Sequence, residues 1–273
     1  MKTFALALGG GGARGLAHIA VIEALDDMGI KPAAVAGTSI GALVGASYAA
    51  GMRGREIRHH VIKFAHDRAE SRRRILRARA GKLSDMMSSG LSRATQMDAR
   101  KFCEEFLPER VPDDFSALVI PLTVVATDLH RREETSFSSG ALRQALAASV
   151  AFPGLFRPVG VGDRILVDGA ATNPLPFDLL AGVADLIVAV DIFGASAATR
   201  SDTPGVWESL TTTLNIMGST IAAAKQKHVA PDLVIRPNVA TFSTLDFYQA
   251  SAILRAAEPA KGDVKQKLGA LLA

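Results

Sequence analysis

Residues 4–28 read FALALGGGGARGLAHIAVIEALDDM, and this run limits the possible folds more than any other. Thr3 to Leu8 reads as a buried strand, its five apolar residues being too few for a helix of ordinary length. Gly9 to Gly12 follow at once. Beyond them Leu16, Ile19, Ala20 and Leu25 recur at helical spacing, so a helix is expected from about Ala13 to Met28. Gly29 stops it and Pro32 enforces the break. A strand, a nearly bare turn and a helix together open an α/β fold.

The same alternation continues. Strands are expected at Ala33–Ala36, Leu118–Ala126, Glu134–Phe137, Arg164–Val167, Leu186–Asp191 and Leu233–Arg236. Helices are expected at Ile40–Ala50, Ala99–Phe106, Gly140–Ser149, Pro174–Gly182, Ser209–Lys227 and Leu245–Ala257. This predicts a three-layer α/β/α domain with a mostly parallel central sheet. The 273 residues suit one such domain, with a core of about 3–240, a basic helical insertion at about 53–110 and a helical region at about 245–273.

Cys103 is the single cysteine, which excludes a disulfide framework and a cysteine-rich metal site. Ile40–Ala50, a conspicuous apolar run, falls short of the roughly 18 residues that a spanning helix needs. No signal peptide is legible. These features predict a soluble, cytoplasmic protein that reaches at most the inner membrane surface. Charge is uneven. Residues 53–82 hold eleven Lys and Arg against three acids, a net +8 in a chain of +4, so the remainder is −4. Such a segment is either a solvated helical face or a contact for anionic membrane or an acidic partner; nucleic acid is not expected.

Two chemistries compete for the glycine loop: a phosphate cradle and an oxyanion site. Gly10 to Gly15 satisfies G-x-G-x-x-G, but a dinucleotide fold wants an acid at the end of the second strand. That strand instead runs into Gly37-Thr38-Ser39-Ile40-Gly41, a G-x-S-x-G turn between strand and helix. No G-K-[ST] follows the loop, so a phosphate-binding P-loop fails too. Ser39 reads as a nucleophile at a helix N-terminus or, more blandly, as an N-cap. The bare backbone of Gly10, Gly11 and Gly12 suits donors to an oxyanion.

A serine nucleophile needs a base. Among the six histidines only His228 follows a plausible acid in the order of a Ser-Asp-His triad. Asp168 is better placed, at the end of the strand RILVD and followed by Gly169 and Ala170. Its bland reading is an Asx-turn. As sole base it requires burial to raise its pKa and direct contact with Ser39. Three candidates remain: a Ser39–Asp168 hydrolase, a Ser39–Asp168–His228 triad, and a catalytically silent scaffold.

Together Gly10–Gly15, Gly37–Gly41 and Asp168–Ala170 resemble the signatures of the patatin-like phospholipase family, as does ASVAFPGLFRPV at Ala148–Val159. The likeness covers about residues 3–240 and is nearest to small bacterial members. It implies a patatin-like fold, Ser39 as nucleophile, Asp168 as base, glycine-loop amides as the oxyanion hole and Arg14 as support for that loop. It also implies hydrolysis of lipid acyl esters without metal or cofactor.

Overall fold

The computed structural model describes residues 2–66, 96–193 and 203–273. Eight strands form one mixed sheet: β1 (Phe4–Leu8), β2 (Val35–Thr38), β3 (Leu122–Asp128), β4 (Glu133–Phe137), β5 (Val159–Val161), β6 (Arg164–Asp168), β7 (Leu186–Val190) and β8 (Leu233–Ile235). Bonded neighbours run β5-β6-β3-β2-β1-β7-β8, with β4 also on β3. The pairs β1–β2, β1–β7, β2–β3 and β7–β8 are parallel, while β3–β4, β3–β6 and β5–β6 are antiparallel.

β1 shows why the sheet is covered on both faces. Phe4, Leu6 and Leu8 enter one core with the residues of α1 (His18–Met28) and α2 (Ile40–Ala49). Ala5 and Ala7, pointing the other way, join Leu175, Phe177, Leu180 and Ala222. Successive side chains of a strand alternate between faces, so FALAL writes a thick layer and a thin one. Each fully buried leucine contributes roughly 1.5–3 kcal/mol over an exposed one. The remaining helices are α3 (Gly54–His66), α4 (Ala99–Phe106), α5 (Leu142–Ser149), α6 (Val206–Gln226) and α7 (Ala250–Ala257). Beyond α7 the chain stays helical to Leu272, with a π-turn at Val264–Leu268.

Three differences from the sequence reading bear on the site. The expected helix from Ala13 begins as a 3-10 turn, Gly12–Ala17, and becomes α-helical only at His18. The Pro174–Gly182 helix reduces to one 3-10 turn at Asp178–Leu180. β6, which carries Asp168, is antiparallel to β3 and forms a hairpin with β5, a strand not expected from FPGLFRPV. Much of the basic stretch, 67–82, lies outside the described residues. Within α3, Arg58 is paired with Glu23 and Glu258, and Arg55 lies 3.8 Å from Asp27. No described helix is long and apolar enough to cross a membrane.

Candidate active site

β3 assembles the site through its register. β4 occupies one edge of β3 along Val124–Asp128. The other edge is shared: Thr38 of β2 pairs with Val125, and Asp168 of β6 pairs with Ala126. β2 runs parallel to β3 and β6 runs antiparallel, so their carboxyl ends meet head-on. The residue after Thr38 is Ser39. Its Oγ donates to Asp168 Oδ2 at 2.7 Å.

Ser39 has φ +56°, a region costly for any residue with a Cβ. Close packing holds it there. A Cβ on Gly41 would strike the Leu8 carbonyl, so only glycine lets α2 start this close to β1. The Ser39 side chain makes no capping bond to α2, although the residue stands at the N-cap position. Its hydroxyl faces Asp168 instead.

Asp168 is 3% exposed. Its Oδ1 accepts the Ala170 N–H at 2.9 Å, the Asx-turn contact, while Oδ2 remains for Ser39. Burial pushes the carboxyl up to about 6, against the pull of the Ala170 and Ser39 bonds. Histidine takes no part in this contact. His228 is exposed and precedes β8, at the amino edge of the parallel strands, whereas Ser39 follows β2 at their carboxyl edge. The Ser39–Asp168 bond is direct and leaves no room for an imidazole between them.

The glycine loop lies beside the pair. A Cβ on Gly10 would stand 3.6 Å from Ser39 Cβ. The Gly10 N–H, expected as an oxyanion donor, instead donates to the Pro174 carbonyl at 2.9 Å. The Gly11 and Gly12 N–H groups, also expected as donors, meet no acceptor among the described residues. Gly11 (φ +138°) and Gly12 (φ +60°) both require glycine's freedom, and a Cβ on Gly12 would overlap the Thr244 carbonyl.

Arg14 is buried. It donates through Nε to the Gly11 carbonyl at 3.5 Å and through Nη2 to Asn215 Oδ1 at 2.9 Å. Burial draws its pKa down, opposed by the charge of Asp191.

Three further residues were not singled out from sequence. Ser149, at the end of α5, accepts the Ser39 N–H on its Oγ at 2.8 Å, and the Ala151 carbonyl accepts the Asp168 N–H at 3.1 Å. One short stretch, within ASVAFPGLFRPV, thus fixes the backbone of both residues. His18 lies fully buried under the loop, with Nε2 2.7 Å from the Gly9 carbonyl. A carbonyl only accepts, so Nε2 carries the proton and Nδ1 is left without a partner. Burial lowers His18 to about 4, so it is neutral. No group of three or more potential metal ligands gathers among the described residues.

This chain is similar to several known proteins. The sequence model of the patatin-like phospholipase family matches residues 6–181. An uncharacterized NTE family protein of Mycobacterium tuberculosis (strain ATCC 25618 / H37Rv) is 39% identical over 200 residues, 72% of this chain and 51% of its own length. Patatin-like phospholipase domain-containing protein 6 of Mus musculus is 25% identical over 271 residues, 90% of this chain and 19% of its own length. The chain thus spans about half the length of the mycobacterial relative. Among solved structures, VipD from Legionella pneumophila aligns over 96% of this chain and 66% of its own, at TM-score 0.49 and 15% identity. Matched by the family's model over more than half of its length, the chain belongs to the patatin-like phospholipase family.

Proposed function

We propose that the protein is a serine hydrolase of lipid carboxylic esters, with Ser39 and Asp168 as its dyad. The 2.7 Å bond from Ser39 Oγ to Asp168 Oδ2 carries this reading. A carboxyl with a pKa of about 6 is mostly ionised at pH 7 and is a better proton acceptor than an ordinary aspartate. Asp168 takes the hydroxyl proton as Ser39 Oγ attacks the ester carbonyl. The N–H groups of Gly11 and Gly12 receive the oxyanion, each such donor being worth roughly 3 kcal/mol. Asp168 then gives its proton to the leaving alkoxide, and an acyl-enzyme remains on Ser39. Water attacks this ester while Asp168 takes the water's proton. Ser39 regains a proton as the fatty acid departs.

Positioning is divided among neighbours. Ser149 holds the Ser39 amide, Ala170 orients the Asp168 carboxylate, and Arg14 ties the loop to α6. The test is fluorophosphonate labelling with turnover of phospholipid, lysophospholipid, thioester and water-soluble ester substrates. Wild type is expected to label and to turn over at least one acyl ester, and Ser39→Ala to do neither. An unlabelled, inactive wild type would make the chain a silent scaffold.

A further inference from the structure

Helix α6 covers the site with one face and, among the described residues, nothing with the other. Its inner face is small: Thr211, Gly218 and Ala222 are buried, and half-buried Asn215 bonds Arg14 and Thr244. Its outer face carries Val206, Leu210 and Met217, four and seven residues apart, a stripe spacing that normally faces a core. Here they are 85%, 42% and 53% exposed. Ile216, Leu245 and Tyr248 are exposed as well. Leu245 directly follows Thr244, whose carbonyl accepts the Ala13 N–H at 2.8 Å. Leu245 therefore adjoins the glycine loop beside half-buried Ser39.

Charge says what kind of partner fits. Ser209 to Ala224 contains no charged residue, an unusual run for a helix with an exposed face. Its exposed polar groups are hydroxyls: Ser209, Thr212, Thr213 and Thr220. Protein interfaces are rimmed by polar and charged residues, and a protein seated here would crowd the approach to Ser39. A lipid layer needs no charged rim, and it delivers acyl esters at the depth where the loop would lie.

We propose that the outer face of α6, with Leu245 and Tyr248, is the surface by which the protein settles onto a lipid layer. The choice of occupant rests on the lipid-hydrolase reading above. Because the face is uncharged, attachment is to zwitterionic as well as anionic lipid and changes little with salt. Docking through the basic stretch would instead need anionic lipid and weaken with salt.

The test compares full-length Ser39→Ala protein with the same protein carrying Val206→Gln, Leu210→Gln and Met217→Gln. Flotation with phosphatidylcholine vesicles is run at low and high salt. The triple change is expected to weaken partitioning by on the order of tenfold, with Leu210→Gln alone intermediate and thermal midpoints unchanged. Equal partitioning of the two proteins overturns the proposal, and so does binding that appears only with anionic vesicles. Sedimentation velocity showing a dimer that the triple variant breaks would assign the face to a second copy. Binding is read without turnover, so failure of the dyad reading and failure of this surface are separate results.

Discussion

Thr38 and Asp168 pair with consecutive residues of one strand edge, Val125 and Ala126, on strands that approach head-on. The contact between Ser39 and Asp168 is therefore set by sheet register together with the positive-φ turn at Ser39. Asp168, at the end of β6, is held more tightly than a loop residue would be.

On the proposed mechanism the dyad acts as a unit, so its losses are not expected to add. Ser39→Ala and Asp168→Asn are each expected to lower kcat about a thousandfold or more, with the double variant no worse than the poorer single. Purified-protein kinetics on one soluble ester decide this. Additive losses would separate the roles of the two residues.

On the proposed mechanism Asp168 is expected to set an acid limb. kcat/KM is expected to fall about tenfold per pH unit below about 6 and to level off above 7. An acid limb that His228→Ala abolishes would instead favour a triad.

Stability has its own pH signature. Asp168 is raised from its unfolded value to about 6, so its folded state gains stability as pH falls from 6 to near 4. His18 is lowered to about 4, so its contribution is full above 6.5 and fades as pH falls toward 4. The two slopes oppose each other over nearly the same window. Asp168→Asn removes one of them, so this variant should lose stability between pH 6.5 and 4 more steeply than wild type. Urea midpoints at half-unit pH steps measure it, and parallel curves would refute the pairing.

Ser149→Ala leaves the Ser39 amide without its acceptor in a buried setting. A cost of about 1–3 kcal/mol in stability is expected. Turnover should fall with little change in KM, because the loss concerns the placement of the nucleophile. Stability and steady-state kinetics on the same sample test both effects.

The glycines separate by position. Gly10→Ala meets only ordinary contacts at 3.5–3.7 Å, so the fold should hold while the new methyl crowds Ser39 and slows turnover. Gly12→Ala combines positive φ with an overlap on the Thr244 carbonyl and should lower the thermal midpoint by several degrees. Equal midpoints for the two variants would contradict this.

The local parts of the site were legible in the sequence because each lies within a few residues. Ser39 sits between two glycines at a strand-helix junction, and Asp168 ends an apolar run before Gly169. What could not be read depends on partners far along the chain. The Gly10 amide is taken by Pro174, 164 residues away, which no local pattern announces. The antiparallel direction of β6 follows from its hairpin with β5, hidden by the prolines of FPGLFRPV. Ser149 and Arg14 act through Ser39 and Asn215, contacts that exist only once helices are docked. The helical character of residues 245–273 was legible, but the π-turn at Val264–Leu268, which departs from α-helical period, was not.

The shared edge of β3 also bears on the order of synthesis. As the chain leaves the ribosome, the turn that holds Ser39 emerges more than a hundred residues before the carboxylate that completes it. Until β6 takes its half of that edge, the serine has no proton acceptor at hand. On the proposed mechanism, a nascent chain interrupted before residue 168 could not cleave the membranes of its own cell.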